Sequence, residues 1–324
     1  MDRGCRSGEV LAGKYLILRE LARGGCGSVW LAEDLHLPKR WAVKEIKKER
    51  EDQGMELKRE AMLLGGRSHP ALPVVVDFLD TEHFGYLVME YVEGVTLAEA
   101  VRQRGVFSEE ECLNLLCQLA EILRYLHELR PPVCYLDLKP ANVLLTEEGR
   151  VVLVDFGAAM ENEGAACRRG PCYGTYGYAP PEQCGELGME AVCDQRSDVY
   201  ALGMTIFFLL TGKDPGLPPF GLKSCIGWES MAGREFVRIL KTCVEWLPEK
   251  RFQSMREVLV AAEGCMAEKR SAGVFQKRGG RIGRILCRVL PGKRRFVLRQ
   301  EKSIFLTGKK RAGLSPFIDA DGAV

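Results

Sequence analysis

Apolar residues recur in two different rhythms along this chain, and the change between them divides it. Near the start they come in short runs, Tyr15-Leu16-Ile17-Leu18, then Val29-Trp30-Leu31-Ala32, then Trp41-Ala42-Val43 on to Ile46, which is the pattern of β-strands. A glycine cluster, Gly24, Gly25 and Gly27, separates the first two runs, so they read as an antiparallel hairpin. Residues 52–64 predict a helix, and the apolar runs at 72–79 and 86–92 predict two more strands. From about residue 97 the rhythm turns helical, with Leu113, Leu116, Cys117, Ala120, Leu123 and Leu126 at three- and four-residue steps, which sets them on one helix face. The pattern predicts an α+β molecule of two lobes, a small β-rich one over about 11–92 and a larger helical one over about 93–265.

Composition agrees with a folded chain and adds a boundary. The 324 residues carry 46 Lys+Arg against 44 Asp+Glu and are 46% hydrophobic, which excludes wholesale disorder and provides a core without disulfide staples. The charge is unevenly spread: residues 266–324 hold fifteen Lys/Arg and four acids, so the net +2 leaves the preceding body near −9. This asymmetry separates a leader (1–10) and a folded body (11–265) from a basic tail (266–324). In the tail, the apolar positions Ile282, Ile285, Leu286, Val289 and Leu290 oppose Arg281, Arg284 and Arg288, with Pro291 ending the segment. A basic amphipathic helix over 281–290 fits an anionic membrane surface, fits the acidic body of the same chain, and fits nucleic acid least well. The longest apolar stretch, Ala201 to Leu210, falls well short of the roughly 20 residues that span a bilayer. Thirteen cysteines, an odd number, and a start without an apolar export segment predict reduced thiols and a cytoplasmic location.

Four separated segments carry chemistry. The first is Leu21-Ala22-Arg23-Gly24-Gly25-Cys26-Gly27-Ser28-Val29, where glycines let backbone N–H groups approach phosphate oxygens. The second pairs a strand cation, Lys44, with a helix acid, Glu60, one holding the other in place. The third, Tyr135-Leu136-Asp137-Leu138-Lys139-Pro140-Ala141-Asn142, puts a carboxylate, a cation and an amide within six residues. The fourth, Asp155-Phe156-Gly157, sets a carboxylate after the apolar run Val151 to Val154, at a strand end where a metal ion could sit.

At these four segments, and in Gly174-Thr175-Tyr176-Gly177-Tyr178-Ala179-Pro180-Pro181-Glu182, the sequence resembles the eukaryotic-type serine/threonine protein kinases, its bacterial members most of all. The resemblance covers about residues 11–264 and implies the bilobal kinase fold, with ATP, Mg²⁺ and a protein Ser or Thr hydroxyl as the reacting set. It implies that Leu21 through Val29 cover the nucleotide and that Ala42, Met89, Glu90, Val92 and Leu144 surround the adenine, with Met89 limiting the pocket depth. Lys44, paired with Glu60, would contact the phosphates; Asp155 and Asn142 would hold the metal. Asp137 would take the substrate proton, Lys139 would offset charge on the transferring group, and Thr175 would steady the hydroxyl beside it. Glu182 with Arg251, and Asp198, would brace the surrounding loops.

The departures from that family matter as much. Ala22 stands for the first loop glycine and Cys26 for the aromatic at the loop tip, while Tyr135-Leu136-Asp137 stands for the usual His-Arg-Asp. Leucine cannot receive a loop phosphate, and positions 158–174 contain no Ser or Thr and only Tyr173 as a hydroxyl. Activity without loop Ser/Thr phosphorylation is therefore expected. Cys167 and Cys172 match no strong zinc spacing and read as part of a solvated loop. The rival reading is a pseudokinase acting as a nucleotide-binding scaffold, but Lys44, Glu60, Asp137, Asn142 and Asp155 are all present.

Overall fold

A computed structural model describes residues 4–24, 27–48, 51–162, 174–187, 192–216 and 227–271. The alternating runs at the start become strands β1 (Val10–Leu11), β2 (Tyr15–Gly24), β3 (Gly27–Asp34) and β4 (Arg40–Lys47). Helix α1 (Glu51–Leu64) follows, then β5 (Val75–Asp80) and β6 (Phe84–Glu90). These six strands form one antiparallel sheet in the order β1-β2-β3-β4-β6-β5. Because side chains alternate across a strand, Trp41 and Val43 of β4 join Tyr15, Ile17, Trp30 and Tyr86 in a core on one face of the sheet. Ala42 and the partly buried Ile46 join Val29, Leu57, Ala61, Leu87 and Met89 on the other, under α1. Residues ahead of β1 are stitched to the sheet: Gly8 N–H donates to the Ile17 carbonyl at 2.8 Å, and the Ile17 N–H donates to the Glu9 carbonyl at 2.8 Å.

The helical part begins with β7 (Val95–Thr96), α2 (Leu97–Arg104) and α3 (Glu109–His127). Both helices start at capping boxes, Thr96 with Glu99 and Ser108 with Glu111, in which hydroxyl and carboxylate satisfy each other's backbone N–H groups. The predicted stripe on α3 is buried, Leu113, Leu116, Ala120, Leu123 and Leu126 included. Short strands β8 (Val133–Cys134), β9 (Val143–Leu145), β10 (Val151–Leu153) and β11 (Met160–Glu161) then carry the loops of interest. β9 pairs with β10 and β7, and β11 pairs with β8.

Helices α4 (Gln195–Thr211), α5 (Arg234–Cys243) and α6 (Met255–Ser271) complete this part. α4 is buried nearly all round and lies in the centre of a core shared with α3, α5 and α6. Gly203 permits its close approach to α5: a β-carbon there would lie 2.6 Å from Val244 Cγ1 and 2.7 Å from Cys243 Cβ. Residues 281–290, the candidate tail helix, lie outside the described residues.

Candidate active site

Two clusters of polar side chains meet where the sheet faces the helical part. In the first, Lys44 shares the inward face of β4 with Ala42 and Ile46, and Glu60 lies beside the buried Leu57 and Ala61 on α1. Lys44 Nζ donates to Glu60 Oε2 at 2.6 Å and to Asp155 Oδ1 at 2.6 Å. The other carboxylate oxygen of Glu60, Oε1, accepts the Phe156 N–H at 3.0 Å. One ammonium thus ties together a strand, a helix and the Asp155-Phe156-Gly157 segment. Burial opposes the charge on Lys44, but the two carboxylates outweigh it and raise its pKa. Burial also pushes Asp155 up, yet the Lys44 charge prevails and holds it below the ordinary carboxylate value, while burial leaves Glu60 raised.

The second cluster sits on the loop after β8. Lys139 Nζ donates to Asp137 Oδ2 at 2.8 Å and to Thr175 Oγ1 at 2.6 Å. Thr175 Oγ1 donates to Asp137 Oδ1 at 2.8 Å, and Asn142 Nδ2 reaches Asp137 Oδ2 at 2.8 Å and the Asp137 carbonyl at 3.0 Å. Beneath it lies Asp198 at the start of α4, fully buried. It accepts the Tyr135 N–H at 2.9 Å and the Leu136 N–H at 2.8 Å, and makes a 2.8 Å bond with His127 Nε2. Gln183 Nε2 donates to the Leu136 carbonyl at 2.7 Å. Leu136 needs this support, because its φ of 63° is in the left-handed region; Asp155, at φ 65°, is the other such residue among these loops. Non-glycine residues held there cost on the order of 1–3 kcal/mol each.

The remaining sequence candidates divide. Ala22, Arg23 and Gly24 on β2 face Val29, Ser28 and Gly27 on β3 in register, while Gly25 and Cys26 lie outside the described residues. Gly27 has φ 119°, and a β-carbon there would collide with the Glu45 carbonyl, so packing on β4 alone already requires glycine. A register shift falls between Glu20 and Ala22, at Leu21. Arg23 turns back to Glu20 at 2.6 Å on the surface. Val29, Ala42 and Met89 pack together on the α1 side of the sheet, Glu90 ends β6, and Val92 follows it, half-buried. Leu144 sits on β9 opposite Val152 and Thr96. Cys167, Cys172 and Tyr173 lie outside the described residues.

Sequence reasoning missed two features. Tyr135 is fully buried, its Oη donates to the Val154 carbonyl at 2.5 Å, and its ring stands edge-on to Phe156 at 5.0 Å. It links the Asp137 loop directly to the peptide before Asp155. Leu136, in the place of a cation, joins Cys134, Cys193 and Met160 in a small apolar cluster. Only the alternation of apolar residues through Cys134, Leu136 and Leu138 hinted that this loop is inward-facing.

The oxygens of Asp155 and Asn142 suit a hard cation. Asn142 engages its amide N–H groups with Asp137, which leaves Oδ1 as an acceptor. Among the described residues no group of three His, Cys, Asp or Glu could hold a metal ion.

A family model described as the protein kinase domain matches residues 15–261. The chain is 32% identical over 285 residues to serine/threonine-protein kinase B of Synechocystis sp., covering 81% of this chain and 48% of that protein. It is 31% identical to serine/threonine-protein kinase PrkC of Bacillus subtilis, over 64% of this chain and 32% of the relative. To serine/threonine-protein kinase PknA of Mycobacterium tuberculosis it is 35% identical, over 65% of this chain and 49% of the relative. The chain thus spans half or less of the length of these curated relatives. The match to the domain over most of the chain makes this chain a member of the protein kinase family, similar to serine/threonine kinases of bacteria.

Proposed function

We propose that this chain transfers the γ-phosphoryl group of ATP to serine or threonine hydroxyls of proteins. The observation that carries the reading is the adjacency of the two ionic clusters, whose segments are joined where the Val154 N–H donates to the Asn142 carbonyl at 3.0 Å, with Lys44 bonded at 2.6 Å to Glu60 and to Asp155, and Asp137 bonded to Lys139, Thr175 and Asn142. Asp137 Oδ2 is engaged by Lys139 and Asn142, whereas Oδ1 accepts only from a hydroxyl. In the reaction a substrate hydroxyl, steadied beside Thr175, approaches Oδ1 and passes its proton there, its oxygen bonds to the γ-phosphorus, and the bond to the bridging oxygen breaks to leave ADP. Lys139, within reach of both groups, offsets charge on the transferring phosphoryl. Lys44 holds the α- and β-phosphates, steadied by Glu60, and the β2–β3 hairpin covers them. Asp155 and Asn142 would hold Mg²⁺, which neutralises charge on the phosphates during transfer.

Leu136 and its apolar neighbours support activity without loop phosphorylation, since no cation stands there to receive a phosphate. The pseudokinase reading is not favoured, because all five polar residues are present and drawn into the two clusters. No helix among the described residues is long and apolar enough to cross a membrane. Contact of the basic segment 281–290 with an anionic membrane surface, and a cytoplasmic setting, stay proposals from composition.

The test is ³²P transfer from Mg²⁺-ATP to a generic basic protein. Wild type should label Ser/Thr, and Asp137→Asn should lower the rate by at least about 10²-fold. A silent wild type that binds ATP would return the scaffold reading, and a required phosphate at Thr175 would overturn phosphate-independent activity.

A further inference from the structure

Arg67 and Glu161 are 94 residues apart in sequence, and neither belongs to the clusters above. Arg67 follows α1 across a turn at Gly66, whose φ is 78°. One guanidinium nitrogen, Nη1, donates to the Leu63 carbonyl in the last turn of α1, and the other, Nη2, donates to Glu161 Oε1 at 2.7 Å. Glu161 is the second residue of β11, opposite Val133 of β8, and the Asn162 N–H donates to the Pro132 carbonyl at 2.7 Å. β8 runs straight into Tyr135 and Asp137, and β11 follows Asp155 by five residues. This one contact therefore joins the end of the helix that carries Glu60 to the strand pair that frames both catalytic loops.

A kinase needs its helix glutamate and its metal-binding aspartate in place together, and loop phosphates paired with arginines commonly enforce this. Here the receiving position is Leu136, and positions 163–173 contain no Ser or Thr. We propose that the Arg67–Glu161 pair is the positioning contact that holds α1 against the catalytic loops, an encoded carboxylate doing the work a phosphate does elsewhere. Arg67 suits this because its planar fork can bond the helix carbonyl and the carboxylate at once, which a lysine ammonium does less well. The pair is partly exposed, with Arg67 at 17% and Glu161 at 41% of side-chain surface, so its contribution is modest and sensitive to salt.

This inference rests on the kinase reading, and the experiment keeps the two apart by using two readouts on the full chain. In steady-state assays Arg67→Ala and Glu161→Gln should each lower kcat about three- to fivefold, with KM for the acceptor protein unchanged. The double variant should be no worse than the poorer single variant, and Arg67→Lys should recover part of the rate. Wild-type kcat should fall toward that of the variants as KCl approaches about 0.5 M, while the variants respond less. By hydrogen–deuterium exchange, residues 51–64 and 155–162 should exchange faster in both single variants. Wild-type kcat and exchange in the single variants, or fully additive losses, would overturn the positioning role. If wild type itself transfers no phosphate the kinase reading falls, and the exchange readout alone decides whether the contact holds α1.

Discussion

Two ionic assemblies among the described residues, one around Arg251 and one around Lys44, are built on opposite plans. Arg251 meets Glu182 through Nη1 at 2.6 Å and Nη2 at 2.8 Å. Its remaining N–H groups go to the carbonyls of Glu245, Arg196 and Trp246, so all five donors of the guanidinium have partners within the fold. The two side chains are 0% and 1% exposed, and the guanidinium stacks over Tyr200. Between the sheet and the Asp155 segment, Lys44 bonds two carboxylates from two different segments, and Asp155 remains 34% exposed. A closed assembly has one arrangement and serves as a foundation; an open one keeps charge at a surface where a ligand can share it. Burial and pairing make the first rigid, and incomplete burial makes the second usable.

The largest effect should come from breaking the closed assembly. Arg251→Met leaves the Glu182 carboxylate buried without its partner, which costs about 3–5 kcal/mol. By calorimetry Tm should fall by about 10 °C for a domain of this size. Pairing it with Glu182→Leu should recover part of that loss, because no charge is then stranded. A single variant melting within about 2 °C of wild type would erase the distinction drawn between the two assemblies.

Opening the Lys44 assembly should cost less in stability and more in chemistry. Lys44→Met should abolish measurable transfer and lower stability by about 2 kcal/mol near pH 8, read from denaturant midpoints. The pH dependence follows from the groups left behind. Glu60 is already raised by burial, and loss of the ammonium raises it further. A carboxyl raised in the folded state favours folding more as pH falls through its folded pKa, so the deficit of the variant should shrink from pH 8 toward pH 5. In wild type, raised Lys44 contributes stability that is complete below its unfolded value of 10.5, and lowered Asp155 contributes stability present above 3.8. Both contributions are present throughout pH 5–8 and are lost only outside it. A deficit that does not change over that range would show that Glu60 is not stranded.

The smallest of the three effects tests the link from the buried Asp198 to the peptide before Asp155. Tyr135 donates its backbone N–H to Asp198 Oδ2 and its hydroxyl to the Val154 carbonyl. Tyr135→Phe keeps the ring and removes one buried hydrogen bond, which should cost about 1 kcal/mol and lower kcat about threefold. Equal kcat with reduced stability would confine Tyr135 to packing.

Much of this was legible in the chain. The strand runs around Ile17, Leu31 and Val43, the α3 stripe and the four polar segments all fell where local pattern put them, since period and turn chemistry are local properties. The Glu182–Arg251 pair was reached by resemblance, and its geometry bears that out. What stayed hidden was which polar groups share a partner. Nothing near Lys44 announces that its ammonium bonds Asp155 as well as Glu60, and nothing near Leu136 announces Cys193 beside it.

The sequence by itself determined the two-lobed α+β order, the inward face of each element and which segments carry the polar side chains of the two clusters, because hydrophobic period and residue chemistry act within a few positions. Only the tertiary structure decided that Tyr135 reaches Val154, that Asp198 gathers two backbone N–H groups and a histidine, and that Arg67 meets Glu161. Those contacts join residues 19 to 94 positions apart, and their existence depends on how separate elements pack, which no local pattern encodes.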